Sequence, residues 1–364
     1  MVEVKGVAGG RKEIHGLVER MKTLVERCGG FSFMEVCGTH TVAIFQSGLR
    51  SLFPEGLRHI SGPGCPVCVT HARDISLGME LVRGEGIVLA TFGDMMRVPD
   101  AQGMSLKMLR AKGARVHVCY SPLDALDLAQ REPGVEVVFW GIGFETTSPT
   151  VAATIKEAQQ RGVSNFSVLP AHKLIPPALD FLLSSGVEVD GLLLPGHVST
   201  VIGVDVYGFI PHKYGVPAVI SGFEPLDIAM SICRLMEMKL SGRVEVFNQY
   251  TRAVKRNGNP RARALLEEVF ERDDALWRGI GIIKGSGLRI RDSYSAMDAL
   301  KRFNPKGSDI SDPPGCRCGE VLQGKITPPM CPLFKKRCTP MSPVGPCMVS
   351  TEGSCAAYYK YGTC

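Results

Sequence analysis

The sequence predicts an α/β protein with two similar parallel-sheet, Rossmann-like domains and a small cysteine-rich domain after them. Two observations carry this prediction. Through residues 31–240, short apolar or β-branched runs end in glycine-containing loops and alternate with amphipathic stretches, as in parallel sheets covered by helices. From residue 312 onwards, proline, glycine and cysteine dominate, and such a segment needs a metal centre to fold because it buries little apolar surface.

Each predicted strand is an apolar run that stops at turn residues, and each predicted helix is an amphipathic segment that follows one. Prolines at positions 122, 149 and 176 mark helix starts, where a missing N–H costs nothing. The predicted strands are Phe31–Val36, Leu57–Ile60, Gly86–Phe92, Arg115–Tyr120, Val135–Trp140, Phe166–Leu169, Gly191–Leu194 and Val216–Ile220. The predicted helices are Thr41–Leu52, Thr70–Arg83, Gly103–Lys112, Pro122–Gln130, Pro149–Arg161, Pro176–Ser184, Glu224–Leu240 and a charged helix over 260–273.

Eight strands can form one wide sheet or two smaller ones, and we favour two, divided near residue 130. This gives an N-terminal helical extension (1–30), a first α/β domain (31–130), a second α/β domain (131–240) and a C-terminal region (241–364). The last part of that region, residues 312–364, is the predicted metal-binding tail.

Composition excludes several classes of protein. A net charge of +6 over 364 residues is mild, and the basic runs near residues 255 and 261 lie among glutamates, so we expect no nucleic-acid partner. No apolar leader or membrane-spanning run is visible, which predicts a cytoplasmic protein with no membrane partner. Thirteen cysteines in a reducing compartment indicate metal or redox chemistry rather than structural disulfides.

Chemically distinctive residues follow the predicted strands, where ligands bind in open α/β sheets because strand ends converge there. The residues at these positions are Cys37 and His40, then Cys65 and Cys68, Asp94 and Arg97, Glu145, His172 and Lys173, and finally His197 and Ser199. We expect these residues to share one cleft.

Cys37 stops the first strand in "FMEVCGTHT" and begins a predicted helix. The positive end of a helix lowers the pKa of a thiol, so we expect a thiolate that serves as nucleophile or soft metal ligand. The alternative is a small buried cysteine at a strand end.

The segment "GPGCPVC" holds Cys65 and Cys68 in a tight loop, close enough for one bond or one metal. It fits a dithiol/disulfide redox pair or half of a zinc site completed by Cys37, His40 or His71. The redox pair is favoured because no second C-x-x-C lies nearby.

In the tail, four cysteines on loops match the number of thiolates that a 4Fe–4S cluster needs. Zinc is the rival metal, but the long, irregular spacings lack the short paired knuckles of zinc ribbons, so the third domain is predicted to be an iron–sulfur domain. Cys316 can replace Cys318 in this set, and Cys347 lies between the last two members. The four predicted ligands are Cys318, Cys331, Cys338 and Cys355.

These motifs together resemble the hydrogenase maturation factor HypD family, in the same order and over the chain from about residue 30 onwards. The matching motifs are "CGTHT" (37–41), "GPGCPVC" (62–68), "TFGDMMRVP" (91–99), "GFETT" (143–147), "LPGHVS" (194–199) and the cysteine-rich tail.

The resemblance implies an assembly scaffold, rather than a conventional turnover enzyme, for the Fe(CN)2CO unit of nickel–iron hydrogenase. It implies two partners, the small chaperone HypC and the cyanide carrier HypE. By the resemblance, Cys37 holds iron jointly with a chaperone cysteine, and the Cys65/Cys68 dithiol receives electrons from the tail cluster. We expect His40, Asp94, Glu145 and His197 to orient the diatomic ligands or to protonate leaving groups.

Two other functions compete with the scaffold. A stand-alone iron–sulfur thiol–disulfide reductase would turn over disulfides through Cys65 and Cys68 without needing Cys37. A zinc-organised binding module would be colourless and free of acid-labile sulfide.

Overall fold

The computed structural model describes residues 7–308 and 312–362, and Cys364 lies outside them. Its strands are β1 (Phe31–Glu35), β2 (Leu57–Ser61), β3 (Ile87–Phe92), β4 (Val116–Cys119), β5 (Glu136–Gly141), β6 (Phe166–Pro170), β7 (Gly191–Pro195), β8 (Ala218–Ser221), β9 (Val246–Asn248), β10 (Phe270–Trp277) and β11 (Gly281–Ile290).

Helices cover the sheets and connect their strands. The α-helices are α1 (Val7–Cys28), α2 (Gly38–Gln46), α3 (Pro66–Val69), α4 (Ala72–Leu81), α5 (Leu106–Ala111), α6 (Pro122–Arg131), α7 (Ser148–Gln160), α8 (Ile175–Ser184), α9 (Gly196–Ile202), α10 (Phe209–Tyr214), α11 (Pro225–Leu240), α12 (Pro260–Val269), α13 (Ala299–Phe303), α14 (Cys318–Leu322), α15 (Pro346–Val349) and α16 (Ser354–Tyr361). The 3₁₀ helices are Leu49–Leu52, Gly93–Arg97, Asp205–Tyr207, Asp292–Met297 and Pro328–Met330.

Two parallel sheets form the centre of the molecule. The five-stranded sheet has the order β2-β1-β7-β8-β9, and the four-stranded sheet has the order β4-β3-β5-β6. Strands β10 and β11 form a separate antiparallel hairpin. All eight predicted strands and the α/β fold class are confirmed.

The predicted boundary near residue 130 does not divide the two sheets, and this expectation is corrected. It falls between β4 and β5, which both belong to the four-stranded sheet. The chain enters the five-stranded sheet with β1 and β2, builds the whole four-stranded sheet, and returns to pair β7 beside β1. Pairing across such a separation is set by tertiary packing and not by the order of strands along the chain.

Two predicted helices end four or more residues before their predicted C-termini. The helix predicted over Thr41–Leu52 is interrupted by Gly48, whose left-handed φ of 76° ends α2 and begins a 3₁₀ turn. The helix predicted over 260–273 ends at Val269, and the residues after it form β10.

One apolar core joins the two sheets. Met34 and Ile60 of the five-stranded sheet belong to the same buried cluster as Leu89 and Trp140 of the four-stranded sheet. Because this packing fixes the sheets against each other, the carboxyl ends of strands from both can contribute to one site. Within the described residues, no helix is both long and apolar enough to span a bilayer.

Candidate thiol and metal-binding site

The loops that follow β1 and β2 are in direct backbone contact. The N–H of Gly62 donates to the carbonyl of Glu35 (2.7 Å), and the N–H of Gly38 donates to the carbonyl of Gly64 (2.9 Å). A Cβ on Gly64 would lie 2.2 Å from the backbone nitrogen of Cys37, so only glycine allows this approach. The loop that carries Cys37 and the turn that carries Cys65 are therefore packed against each other.

Cys37 lies at the N-terminus of α2 but is buried. Burial raises the pKa of its thiol to about 12, and the nearby Glu352 carboxylate raises it further. Backbone N–H groups of His40 and Thr39 oppose the shift without overcoming it. The expectation of a lowered thiol pKa is therefore wrong for this geometry, because lost solvation outweighs the helix end.

His40 and His197 are brought together by an aromatic ring. Both imidazoles stack on Phe223, with ring centroids 4.7 Å and 3.8 Å away. The Nε2–H of His40 donates to the carbonyl of Gly222 (2.9 Å), while its Nδ1 is buried without a partner. Burial lowers the pKa of His40 to about 4, so its ring is neutral and its free nitrogen can accept a hydrogen bond.

Cys65 and Cys68 form a disulfide across the first turn of α3. Helix α3 packs on α14, which starts at Cys318, and on α15, which contains Cys347. The disulfide-bearing segment therefore contacts both the Cys37 loop and the helices of the tail. A redox-active pair fits this arrangement, while no zinc-type grouping involves these sulfurs, since they are bonded to each other.

Arg278 links the disulfide segment to the tail. Its side chain is almost fully buried, its backbone N–H donates to Val69 (2.9 Å) and its Nε donates to the carbonyl of Thr70 (3.0 Å). The guanidinium pairs with Asp312. Its charge also counteracts the raised pKa of Cys316, which contact with a neighbouring thiol and burial produce.

A cleft of about 420 Å³ opens at the strand ends of the four-stranded sheet. Its lining includes Pro66 and Val67 of the disulfide turn, Asp94, Gly143, Thr147 and Glu352.

Beside this cleft, the tail forms hydrogen bonds with the loops at the ends of both sheets. Ser350 donates to Asp94 (2.9 Å) after β3, and Thr39 after β1 donates to Glu352 (2.7 Å). A Cβ on Gly38 would lie 2.5 Å from Cβ of Glu352, so the tail also presses directly on the Cys37 loop. A residue more than three hundred positions away is thus packed against the glycine that follows Cys37.

Glu145 lies outside the cleft that contains Asp94. Its Oε1 accepts the N–H of Ile175 (3.0 Å) at the start of α8, and its Oε2 is buried without a partner. Burial raises its pKa to about 7. The structure therefore gives Glu145 a position at a helix start, while its neighbours Gly143 and Thr147 face the cleft.

The tail cysteines surround one small apolar pocket. All four predicted ligands line it, and Cys316 and Cys347 line it as well. Thiol–thiol contacts run from Cys316 to Cys318, on to Cys347 and then to Cys355. The pocket thus offers six sulfur donors with few competing polar groups.

Across residues 7–308 and 312–362, no three His, Cys, Asp or Glu side chains already converge as a metal site. The pocket cysteines contact one another in a row instead, as neutral thiols do. Their number and their apolar surroundings nevertheless fit a thiolate-bound iron–sulfur cluster, for which soft sulfur donors are required.

Four residues of this region were not assigned by sequence reasoning: Glu352, Phe223, Arg278 and Cys347. Glu352, Phe223 and Arg278 stand in no pattern that reveals a role, because each acts through contacts with distant segments. Cys347 alone had a signal, its position among the other tail cysteines.

Replacing Glu145 with glutamine tests its buried, unpartnered oxygen. Its folded pKa of about 7 lies above the usual 4.5, so the stability it contributes is complete below pH 4.5 and is lost as pH rises through about 7. Glu145→Gln cannot ionise. Between pH 5 and pH 8, its free energy of unfolding should therefore rise by about 2 kcal/mol relative to that of the wild type. Urea unfolding of both proteins at pH 5 and pH 8 measures this difference. Equal changes in the free energy of unfolding between the two pH values would contradict the prediction.

Comparison with known proteins assigns the chain to a family. The sequence model of HypD, described as "Hydrogenase formation hypA family", matches residues 12–362. The hydrogenase maturation factor HypD of Cupriavidus necator is 47% identical over 340 residues, covering 91% of this chain and 90% of that protein. The corresponding factors of Escherichia coli K12 (46%; 90% and 88% covered) and Azotobacter vinelandii (45%; 91% and 89% covered) are similarly close. The chain belongs to the HypD family of hydrogenase maturation factors.

Proposed function

We propose that this protein is a cytoplasmic scaffold on which the Fe(CN)2CO unit of nickel–iron hydrogenase is assembled. Cys37 holds the iron together with a cysteine of the small chaperone HypC, and HypE delivers the cyanide. The iron fragment is the cargo of the protein and not its resident cofactor. The observation that carries the proposal is the stacking of the Cys37 loop, the disulfide turn and the tail helices on one another.

The thiol of Cys37 suits a site that stays unreactive until iron is delivered. A buried thiol of high pKa stays protonated and poorly reactive until a metal replaces its proton. The neutral imidazole of His40, stacked on Phe223, can accept a hydrogen bond at its free Nδ1. Asp94 is held in the cleft by Ser350 and fixes the part of the tail that packs on Gly38, next to Cys37.

The Cys65/Cys68 pair supplies the electrons that cyanide release requires. Cleaving a thiocyanate on the carrier breaks its S–C bond and needs two electrons, giving a carrier thiolate and cyanide. The dithiol provides both electrons, loses two protons and closes to the disulfide that the structure contains. Reopening that S–S bond consumes two further electrons and two protons.

The pocket cysteines would hold a 4Fe–4S cluster, with Cys318, Cys331, Cys338 and Cys355 as ligands. Such a cluster supplies one-electron redox chemistry next to a two-electron thiol pair. Helix α3 contributes the contact between the two, because it carries the disulfide and packs on α14 and α15. Arg278 holds that contact by binding the backbone of α3 and Asp312 at once.

Substituting Cys37 tests the scaffold. Cys37→Ala, purified anaerobically with HypC, should lose all infrared bands of bound cyanide and carbon monoxide, because the iron loses its thiolate. Cys233→Ala is the matched control, since Cys233 is also buried but contacts Leu17 on the far side of the five-stranded sheet. Full bands in Cys37→Ala would exclude this residue as the iron ligand.

Serine substitution of each pocket cysteine tests the cluster. Changing Cys318, Cys331, Cys338 or Cys355 should remove nearly all iron, acid-labile sulfide and brown colour. Cys316→Ser and Cys347→Ser should keep most of the cluster, and Cys28→Ser should keep all of it. A colourless wild-type protein with zinc and no sulfide would contradict the proposal and support a zinc-organised module.

A further inference from the structure

The loop between Cys331 and Cys338 forms the wall between the cysteine pocket and solvent. Leu333 and Phe334 line the pocket together with the two cysteines. The next three residues, 335–337, are the basic run Lys-Lys-Arg and are exposed. The turn is closed by the N–H of Cys338, which donates to the carbonyl of Leu333 (2.9 Å). The loop is thus apolar towards the pocket and cationic towards solvent.

None of the acidic residues within 312–362 pairs with Lys336 or Arg337 of this loop. Residues 312–362 contain only three, and each is engaged elsewhere: Asp312 with Arg278, Glu320 with Arg317, and Glu352 with Thr39. The same residues include six lysines and arginines. Lys336 and Arg337 therefore form an exposed positive surface next to the pocket-lining residues Leu333 and Phe334.

Two exposed methionines border the loop. Met330, which precedes Cys331, is 59% exposed, and Met341, three residues after Cys338, is 94% exposed. Exposed large apolar side chains beside a charged surface are typical of protein interfaces, and methionine adapts its shape to a partner. The combination gives a positively charged loop flanked by two exposed apolar side chains.

We propose that this surface, defined by Met330, Lys336, Arg337 and Met341, docks a small acidic one-electron carrier protein of the ferredoxin class. The inference rests on the proposed function, because the carrier delivers electrons to the pocket behind the loop. Two reduced carriers each lose one electron, and the Cys65–Cys68 bond takes up both electrons and two protons to give two thiols. Electrostatic steering suits a transient complex of this kind, since it speeds association without requiring tight binding.

The experiment uses the full chain, purified anaerobically, and an acidic plant-type ferredoxin as the probe. Affinity is measured by calorimetry at low and at high salt for wild type and for Lys336→Glu/Arg337→Glu. The double charge reversal should weaken binding about tenfold at low salt, and the difference should shrink to less than about twofold at high salt. Reduction of the disulfide by reduced ferredoxin should slow in parallel.

The matched control is Lys107→Glu/Arg110→Glu, which reverses two exposed charges on α5. It should change ferredoxin affinity less than twofold. Met341→Glu is a second, independent variant, and it should weaken binding because it places a negative charge on the same surface without altering buried contacts. Equal affinities for wild type, the double reversal and Met341→Glu would overturn the inference.

Iron and sulfide analysis of each protein separates this inference from the proposed function. An intact cluster with unchanged ferredoxin affinity in the surface variants overturns only the docking surface. A wild-type chain that binds no iron–sulfur cluster overturns the proposed function instead.

Discussion

The site depends on the close approach of three backbone segments that are far apart in sequence. Gly64 lies against Cys37, and Gly38 lies against Glu352, at separations that a side chain on either glycine would prevent. These contacts place the Cys37 thiol, the Cys65–Cys68 disulfide and the tail within one packed unit. The parallel sheets provide the frame, because they bring the ends of β1 and β2 to one edge.

Burial determines the chemistry within this unit. The thiol of Cys37 and the imidazole of His40 are both held in their neutral forms, since desolvation penalises the charged ones. Such a site is unreactive on its own and becomes a strong donor once a metal displaces the thiol proton. In the proposed function, this property protects the cysteine until iron and the chaperone arrive together.

Much of the fold was predictable from local sequence, because β-branched runs closed by glycine loops define the eight strands. The grouping of strands was not, since pairing of β7 with β1 depends on packing between distant segments. The hairpin β10–β11 was missed because its glycines and charged residues interrupt the alternation of apolar and polar residues that indicates a strand. The pKa of Cys37 was misjudged because its burial and its nearness to the Glu352 carboxylate depend on contacts between distant segments, which local sequence does not show.

The central claim is that the tail and the Cys65–Cys68 pair form one electron-transfer unit. It is tested most directly by adding a one-electron donor anaerobically and alkylating the thiols that appear, with mass spectrometry locating them. The account predicts that Cys65 and Cys68 become labelled together, once two electrons have entered, and that Cys338→Ala abolishes this. Equal labelling in Cys338→Ala, or none when the wild-type cluster is fully reduced, would contradict it.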